Sequence, residues 1–336
     1  MQKVLPVGKL PPRLLEALLA SSSIPKTSRV ILGPRYGEDA AVIDMGSSYL
    51  VAKSDPITFT AERLGWYAVN VNANDVATLG AQPKWFLATL LLPERRTTAL
   101  LARIIFRDVH QACRALGVTL CGGHTEITTG LSRPILIGHM LGEVEKHKLV
   151  RKQTQRAGDL VLLTKGIAIE GTAILARKKA SVLTRKLGRA VVDRARRLLS
   201  KISVVHDALL AARHPGLHAM HDPTEGGLAA GLYELARAGN VGLRIWRQKI
   251  PVLHETQAFS YALDFDPLAL IASGALIVIA TPETAGQITR VWARHKISSA
   301  VIGEVVAASE GIEIIDGGRV CPLRLPERDE IARLLG

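Results

Sequence analysis

The chain concentrates polar side chains in one stretch that otherwise has the pattern of an apolar helix. This stretch, residues 70–83, contains three asparagines and one carboxylate, Asp75. Asn72 and Asp75 are three residues apart, so they share one face of a helix. Asn and Asp are poor residues for a helix interior, because their side chains compete for backbone hydrogen bonds. A carboxylate in mid-helix needs a cation or hydrogen-bond donors, and we therefore expect Asp75 to have a chemical role.

Four further motifs place acidic residues or paired glycines near the ends of predicted strands and helices. They are Glu38-Asp39, Ser54-Asp55-Pro56, Gly122-Gly123-His124-Thr125-Glu126 and the acidic, glycine-containing residues 221–227. Carboxylates supply the oxygen ligands that Mg²⁺ prefers, and nucleotide phosphates can complete its coordination shell. The motifs predict a metal–phosphate site assembled from distant segments. Structural interpretations stay open beside this one, namely an Asx turn at residues 38–39 and a helix cap at Thr224.

The adjacent glycines at 122 and 123 follow the apolar residues 118–120. Because glycines let backbone N–H groups approach a phosphate closely, we predict a phosphate-binding loop after a short strand. The sequence contains neither a Walker-type nor a Gly-x-Gly-x-x-Gly motif, which disfavours the standard P-loop and dinucleotide-binding folds. Lys53 and Lys165 lie at predicted strand ends, where they either contact phosphates or lie at the surface.

Length and composition favour a soluble protein that is large enough for two domains. The chain has 336 residues, enough for two domains of ordinary size. Hydrophobic residues make up 48% of it, yet no run approaches the ~20 apolar residues of a spanning helix. The N-terminus shows no export signal, and three cysteines without metal-ligand spacing predict neither a disulfide framework nor a zinc site. We expect a cytoplasmic protein with no membrane association.

The net charge of +13 is concentrated in a basic face at residues 177–201. Ten basic residues stand there against one acid, Asp193. Such a face attracts acidic partner surfaces or polyanions through its long-range field. Nucleic-acid binding is disfavoured, because aromatic residues make up 4% of the chain and none lies within the face to stack on bases. An acidic protein partner is the prediction, and a solvated surface is the alternative.

The pattern of apolar residues predicts strands that alternate with helices, which favours an α/β (α+β) layered fold. Predicted helices cover residues 10–20, 62–79, 97–116, 171–179, 187–199, 204–213, 228–238 and 283–295. Predicted strands cover residues 40–43, 49–52, 84–92, 118–121, 134–143, 160–164, 242–245, 275–280, 300–305 and 312–315. The polar, basic segment 142–158 is the predicted junction between an N-terminal domain at 1–150 and a C-terminal domain at 151–336.

The order of these motifs resembles the superfamily that contains aminoimidazole ribonucleotide synthetase, selenophosphate synthetase, thiamine-monophosphate kinase and the hydrogenase maturation protein HypE. Residues 37–42 resemble its Gly-Asp-Asp-Ala-Ala-Val segment, and residues 54–56 its Thr-Asp-Pro/Ser strand end. Residues 74–83 are similar to its most specific motif, Asn-Asp-x-x-x-x-Gly-Ala-x-Pro. Residues 222–228 resemble its Asp-x-Thr-x-Gly-Gly-Leu. The resemblance covers residues 30–305.

The resemblance implies an N-terminal α/β domain whose sheet pairs across a homodimer, ATP bound near that interface, and a C-terminal α/β domain that completes the cleft. It also implies Mg²⁺. The predicted metal ligands are Asp39, Asp55, Asp75 and Asp222. The predicted catalytic residues are Asp55, Asp75 and His124. The residues predicted to bind ATP are Lys53, Asn74, Gly122, Gly123, Thr125, Glu126 and Lys165.

Within the superfamily, residues 40–44, 165–172 and 222–228 most resemble the HypE branch, which dehydrates a carbamoylated C-terminal cysteine to a thiocyanate. The sequence ends in Leu334-Leu335-Gly336, without that cysteine. We therefore expect a paralogue that activates an oxygen nucleophile of another acceptor substrate by phosphorylation. The alternatives are a small-molecule phosphotransferase like thiamine-monophosphate kinase and a non-catalytic nucleotide-binding protein that docks through the basic face.

Overall fold

The structure is a computed structural model that describes residues 5, 10–21, 24–25, 28–58, 60, 62–326 and 328–335. The described residues form two compact units. The N-terminal unit consists of Ile24–Pro34 and Asp39–Leu149. The C-terminal unit consists of Met1–Ser23, Arg35–Glu38 and Val150–Gly336, as far as these are described. The main division, between residues 149 and 150, falls inside the predicted junction, whereas the two short N-terminal segments of the C-terminal unit have no signal in the sequence.

The described part of the chain alternates between strands and helices, as the apolar pattern predicts. The α-helices are α1 (Pro12–Ala20), α2 (Leu64–Thr78), α3 (Ala99–Leu116), α4 (Ile169–Lys178), α5 (Ala180–Leu187), α6 (Arg189–Arg197), α7 (Val205–Ala211), α8 (Gly227–Gly239), α9 (His254–Leu263), α10 (Pro282–Arg294) and α11 (Glu330–Leu335). The strands are β1 (Val30–Leu32), β2 (Ala41–Asp44), β3 (Ser48–Ile57), β4 (Gln82–Pro93), β5 (Thr119–Thr128), β6 (Ile135–Glu145), β7 (Leu160–Thr164), β8 (Leu217–His221), β9 (Gly242–Trp246), β10 (Ile277–Ala280), β11 (Ser299–Val306), β12 (Ile312–Asp316) and β13 (Arg319–Pro322). Among the described residues, no helix has the length and apolar character needed to cross a membrane.

The N-terminal unit is a six-stranded sheet in the order β1-β2-β3-β6-β4-β5, with α2 packed on β3, β6 and β4 and with α3 packed against α2. Every residue of α2 except Trp66 is buried. Two glycines of β6 allow this close approach. A Cβ atom at Gly138 would lie 2.5 Å from Asn72 Nδ2, and one at Gly142 would overlap the Val76 side chain. The helix that carries the polar stretch is therefore pressed directly onto the middle of the sheet.

Strand β3 continues further than the sequence predicts, because Pro56 does not end it. The prediction placed the strand end at residues 54–56, whereas β3 runs to Ile57. Up to Ala52 the strand is paired on both sides, and beyond Ala52 it pairs with β6 alone. Proline, which has no backbone N–H, is tolerated where one side of a strand has no ladder. Lys53 and Asp55 therefore lie inside a strand and point to the same face of the sheet.

The paired glycines at 122 and 123 lie inside a strand, so the predicted phosphate loop after residue 121 is wrong. They belong to β5, which pairs in parallel with β4 and forms one edge of the sheet. Gly123 has a φ of +147°, and a Cβ atom there would overlap the Ala88 carbonyl oxygen. A glycine is thus needed at 123 for close pairing with β4, which is a structural reason for the motif.

The C-terminal unit is built on a seven-stranded sheet in the order β13-β12-β9-β11-β7-β10-β8, in which β12 and β9 are parallel and the other neighbours are antiparallel. Its core is formed by aliphatic side chains of β7, β9, β10 and β11 and of α8. Strands β8 and β13 and helices α5, α9 and α11 are absent from the predicted elements. Both units mix strands with helices, and the predicted α/β fold class is confirmed.

The adjacent glycines of β5 provide a matched test of the parallel pairing with β4. We expect Gly123→Ala to lower the free energy of unfolding by about 2–4 kcal/mol, because the added methyl group meets the backbone of Ala88. Gly122→Ala is the control, since the nearest atom to its Cβ would be Leu87 Cδ2 at 3.7 Å. We expect it to change the unfolding free energy by less than about 1 kcal/mol. Urea denaturation measures both, and equal effects would contradict the strand pairing.

Candidate functional site

Lys53 is the centre of a polar group on the face of the sheet covered by α2. Its Nζ atom lies 3.2 Å from Asp55 Oδ2 and 3.2 Å from Asp75 Oδ2. Asp55 is two residues along β3 and shares its face, and Asp75 comes from α2. The Asp75 side chain is 5% exposed, whereas that of Asp55 is 35% exposed. The predicted metal ligands Asp55 and Asp75 are therefore brought together, with Lys53 between them.

Asn72 fixes the backbone of β3 next to this group. Its Oδ1 atom accepts a hydrogen bond from the Asp55 backbone N–H at 2.9 Å. Its Nδ2 atom donates to the carbonyl oxygens of Ala68 at 2.8 Å and Asp55 at 3.3 Å. The predicted shared face of Asn72 and Asp75 is present, and both side chains point toward β3. Asn72 contributes to the site by holding Asp55 in place, and Asn74 is fully buried in the same helix.

Asp39 joins the group through the last turn of α2. The Thr78 hydroxyl lies 2.7 Å from the Asp75 carbonyl oxygen and 3.2 Å from Asp39 Oδ2. Asp39 is buried and belongs to the N-terminal unit. Glu38 belongs to the C-terminal unit, where its carboxylate accepts a hydrogen bond from Gln153. Glu38 and Asp39 are neighbours in sequence but belong to different units, as expected if only one of them enters the site.

The electrostatics of this group are dominated by the carboxylates around Lys53. Burial raises the pKa of Asp75, Lys53 lowers it, and the charges of Asp55 and Asp39 raise it again, to about 7. Burial lowers the pKa of Lys53, but the three carboxylates offset this effect and raise it well above its ordinary value. Lys53 is therefore a fixed cation. The repulsion between the carboxylates, which raises the pKa of Asp75, would be reduced by a bound cation.

The donor set fits Mg²⁺, which prefers carboxylate oxygens and retains positions for phosphate oxygens. Asp39, Asp55 and Asp75 supply carboxylates from a loop, a strand and a helix of one unit. Asp55 is the most exposed of the three acids and so offers an accessible oxygen. A divalent cation would reduce the repulsion between the carboxylates and would favour the ionised form of Asp75.

The predicted ATP-binding residues of β5 lie at the edge of the same sheet, apart from this carboxylate group. His124 and Glu126 are exposed, with His124 Nε2 3.2 Å from Glu126 Oε2. Gly122, Gly123 and Thr125 are exposed on the same strand. Strands β6 and β4 separate β5 from β3, which places them about 14 Å apart at the usual strand spacing. Within one chain, the structure does not bring the two sets of residues into contact.

In the C-terminal unit, the segment before Asp222 contains a buried hydrogen-bonded chain that was not predicted. Lys152 is 1% exposed, and its Nζ atom lies 2.6 Å from the Gly37 carbonyl oxygen and 3.1 Å from His221 Nδ1. His221 Nε2 lies 2.9 Å from Glu234 Oε2. Because an ammonium group only donates, Nδ1 is the acceptor, and Nε2 carries the proton toward Glu234. Asp222 is buried at the end of β8, and its role as a metal ligand stays a prediction.

Lys165 has a mainly structural environment. It has a positive φ of 59°, and its Nζ atom lies 2.9 Å from Asp207 Oδ2. The same ammonium group donates to the carbonyl oxygens of Ser203 and Lys201 at 2.7 and 3.2 Å. Burial lowers the pKa of Lys165, although Asp207 opposes this effect. A phosphate would have to displace these partners, so the predicted contact with ATP stays a prediction.

Glu170, in the first turn of α4, is a buried acid that sequence reasoning missed. It is 5% exposed, and burial raises its pKa to about 8. Ser273 lowers the pKa of Glu170, whereas Glu225 and Asp329 raise it. Asp329 is itself shifted upward to a pKa of about 6 by burial, despite hydrogen bonds from backbone N–H groups. At neutral pH the carboxyl group of Glu170 is therefore mainly neutral.

Some residues of the basic face form hydrogen bonds and ion pairs within the C-terminal unit. Arg177 donates to the carbonyl oxygens of Ala173 and Arg196, and Arg194 pairs with Glu255 at 2.7 Å. The remaining exposed cations of the face are Lys178, Arg185, Lys186, Arg189, Arg197 and Lys201. Several guanidinium groups thus stabilise helix packing. An acidic partner for the exposed cations stays a prediction from charge.

The two α/β units and the carboxylate group correspond to a known family. Residues 37–144 match the N-terminal domain of the AIR synthase related proteins, and residues 156–316 match their C-terminal domain. The chain belongs to the AIR synthase related family. Within that family the chain is similar to HypE. It is an enzyme, as are the relatives to which it is similar. The predicted superfamily and its two-domain fold are confirmed.

Several relatives are named carbamoyl dehydratase HypE. The protein from Azotobacter vinelandii is 31% identical over 75% of this chain and 72% of its own length. The protein from Bradyrhizobium diazoefficiens is 28% identical over 81% of this chain and 78% of its own length. A selenide, water dikinase from an Enterobacter species is 26% identical and covers 92% of this chain and 94% of its own length.

Solved HypE structures share the fold. Crystalline HypE from E. coli superposes with a TM-score of 0.75 at 22% identity, covering 96% of this chain and 98% of that protein. A hydrogenase maturation protein HypE in complex with ATP has a TM-score of 0.68 at 23% identity, covering 87% of this chain and 89% of that protein. The match extends over most of the length of both proteins.

The buried acid of α4 predicts a pH-dependent stability. The pKa of Glu170 is about 8 in the folded protein against 4.5 ordinarily, so the folded state binds more protons between these values. Its contribution to stability is complete below pH 4.5 and is lost as the pH rises toward 8. Glu170→Gln removes this loss. From pH 5 to pH 8, we expect the unfolding free energy of the variant to gain at least about 1 kcal/mol on that of the wild type.

Urea denaturation of the two proteins at both pH values measures this difference. Ser260→Ala is the control, because that buried hydroxyl is hydrogen-bonded to the Phe265 carbonyl oxygen at 2.6 Å and carries no titratable proton in this range. Its effect should be the same at both pH values. A constant difference between Glu170→Gln and the wild type would mean that Glu170 is ionised in the fold.

Proposed function

We propose that this chain is an Mg²⁺-dependent enzyme that uses ATP to phosphorylate an oxygen atom of its acceptor substrate. The observation that carries this proposal is the group of three carboxylates around Lys53, with Asp75 as its most buried member. The charges of Asp55 and Asp39 raise the pKa of Asp75, so a divalent cation among the three carboxylates would stabilise their ionised forms. Asp55, the most exposed of them, would leave such a cation accessible to phosphates. The HypE structure in complex with ATP supports the choice of nucleotide.

Asp39, Asp55 and Asp75 would hold the metal ion through their carboxylate oxygens. Bound there, Mg²⁺ would neutralise the charge that develops on the transferred phosphoryl group. Lys53 keeps Asp55 and Asp75 oriented, and Asn72 holds the backbone of Asp55. These contacts restrict the positions of the two carboxylates, which favours the binding of a cation by the group. His124 and the other residues of β5 stay predicted contributors to ATP binding and catalysis.

The acceptor is proposed to offer an amide-type oxygen, since the relatives named carbamoyl dehydratase act on a group of that kind. In the transfer, a bond forms between the γ-phosphorus and the amide oxygen. The bond between the γ-phosphorus and the bridging oxygen breaks, and ADP leaves with that electron pair. The amide nitrogen releases one proton. The acceptor oxygen then leaves readily as phosphate in a later step.

Asp75→Asn tests the proposed metal site. Asn has nearly the same shape but no charge, so we expect Mg²⁺-dependent ATP binding to weaken at least about 10-fold while the fold is kept. Calorimetric titration with ATP, with and without Mg²⁺, measures the affinity, and release of ADP in the same samples measures turnover. Unchanged affinity for Mg-ATP would overturn the assignment.

Asp108→Asn is the matched control for this experiment. Asp108 is a buried aspartate of the same unit, and its carboxylate pairs with Arg63 at 3.3 Å, away from the carboxylate group. Its loss tests whether removing any buried carboxylate of the N-terminal unit weakens ATP binding. We expect the affinity for Mg-ATP to stay within about 2-fold of the wild type. Equal losses in the two variants would indicate a general effect on folding.

We propose further that two copies of the chain pair along β5. This edge strand is ten residues long, and all but Leu120 and Thr128 are exposed. Beside it, a cavity of about 350 Å³ is lined by the glycines of β5 and by apolar side chains of α3, including Phe106. A long exposed edge strand is a template for pairing with another strand. A second copy would cover both the strand and the apolar cavity.

Ile127→Lys tests this pairing. The Ile127 side chain on β5 is 60% exposed, and a charge there would be buried against the second copy. We expect the variant to sediment as a monomer at concentrations at which the wild type sediments as a dimer. Ile31→Lys is the control, because Ile31 is 40% exposed on β1, at the opposite edge of the sheet. Dimers of Ile127→Lys, or monomers of Ile31→Lys, would contradict pairing along β5.

A further inference from the structure

Two exposed histidines of the C-terminal unit face each other through their ring nitrogens. His206 lies in the first turn of α7, and His295 directly follows the last residue of α10. His206 Nε2 lies 3.3 Å from His295 Nδ1. The ring centroids are 5.0 Å apart, and the ring planes are inclined at 72° to each other. Neither histidine lies in the motifs that carry the family resemblance, so the pair needs an explanation of its own.

Buried contacts fix the backbone on both sides of this pair. The indole N–H of Trp292, a fully buried side chain, donates to the Asp207 carbonyl oxygen at 2.9 Å and so ties α10 to α7. The His295 N–H donates to the carbonyl oxygens of Val291 and Trp292 at 3.2 and 3.0 Å, which holds the end of α10 in place. The two histidines are therefore kept as neighbours by packing that does not involve their rings.

Lys165 makes a second connection between the same segments. Its backbone N–H donates to the Ser298 carbonyl oxygen at 2.7 Å, shortly after the end of α10. Its Nζ atom lies 2.9 Å from Asp207 Oδ2 and donates to the Ser203 carbonyl oxygen at 2.7 Å, so it holds the chain on both sides of His206. The same ammonium group engages the carboxylate next to His206. The ring of His206 is thus left to its histidine neighbour.

The spacing of the two rings matches that of two ligands on one tetrahedral metal ion. An imidazole nitrogen lies about 2.0–2.1 Å from a bound Zn²⁺, so two of them at the tetrahedral angle are about 3.3–3.4 Å apart. Rings that lie in line with these bonds have centroids about 5 Å apart. Hydrogen bonds from N–H groups are usually shorter, at about 2.9–3.0 Å. Both observed separations, 3.3 Å and 5.0 Å, therefore fit a shared metal ion.

The donor atoms determine which ion the pair would select. Neutral imidazole nitrogens suit Zn²⁺ and similar transition metal ions, whereas Mg²⁺ and Ca²⁺ prefer oxygen ligands. Among the described residues, no third His, Cys, Asp or Glu side chain joins these two histidines in a group that could hold an ion. An ion bound by the pair would therefore keep coordination positions for water.

We propose that His206 and His295 bind a divalent transition metal ion such as Zn²⁺, with His206 Nε2 and His295 Nδ1 as the two protein ligands. Each ring then carries its proton on the other nitrogen, Nδ1 of His206 and Nε2 of His295. Water completes the tetrahedral shell. The nitrogen donors of this pair and the oxygen donors of the carboxylate group select different ions, so the site does not depend on the proposed function.

Calorimetric titration of the full-length protein with Zn²⁺ tests the site, at about pH 7.5, where imidazole is mainly neutral, and with Mg²⁺ in excess. We expect Zn²⁺ to bind, and His206→Ala and His295→Ala each to weaken this binding at least about 10-fold. His147→Ala is the matched control, because His147 is an exposed histidine whose Nε2 atom lies 3.7 Å from Glu145 Oε2 rather than beside a second imidazole. Its affinity for Zn²⁺ should stay within about 2-fold of the wild type.

NMR of the imidazole nitrogens gives a second readout. We expect Zn²⁺ to shift His206 Nε2 and His295 Nδ1, the nitrogens that face each other, more than the other nitrogen of either ring. No binding of Zn²⁺ by the wild type would overturn the proposal and leave the pair as a hydrogen bond. Binding that is unchanged in either His206→Ala or His295→Ala would also overturn it. An equal loss in His147→Ala would do the same, since it would indicate adsorption to exposed histidines in general.

Discussion

The contact between Lys53 and the buried carboxylate of Asp75 is the interaction on which the geometry of the carboxylate group depends. Asp75 lies on a helix that is buried along nearly its whole length, so its charge needs a partner from the sheet. Lys53 supplies that partner, and it can do so because β3 continues past Pro56 and the glycines of β6 let α2 approach. The position of α2, the length of β3 and the glycines of β6 are thus all required for this one ion pair.

That ion pair does not fully offset the free energy cost of placing several carboxylates close together. Lys53 lies among three carboxylates, and the charges of Asp55 and Asp39 disfavour ionisation of the buried Asp75. Binding of the proposed divalent cation would relieve this repulsion and so would stabilise the fold as well as the site. Hydrogen bonds of Asn72 and Thr78 fix the positions of Asp55 and Asp39. An apolar side chain at position 75 would stabilise the fold more than a buried carboxylate does.

The sequence reveals Asp75 and Asn72 because polar residues in an apolar helix violate local propensity, and such a conflict is visible without a structure. It does not reveal the true end of β3, since the effect of Pro56 depends on which neighbouring strands are present. The glycines of β5 are misleading for a related reason, because close strand pairing and phosphate binding both require glycine. Lys152, Glu170 and Ser273 are missed because nothing in their local sequence indicates burial. Only the packing of segments distant in sequence makes them significant.

Each unit buries an acid, and the neighbours of the two acids differ. Burial raises the pKa of Asp75 to about 7, and Lys53 opposes this rise. Burial raises the pKa of Glu170 to about 8, and the charges of Glu225 and Asp329 add to the rise. The proposed metal ion would favour the ionised form of Asp75, whereas the acids around Glu170 favour its neutral form. The neighbouring charges, rather than the carboxyl group itself, therefore decide how each acid responds to pH.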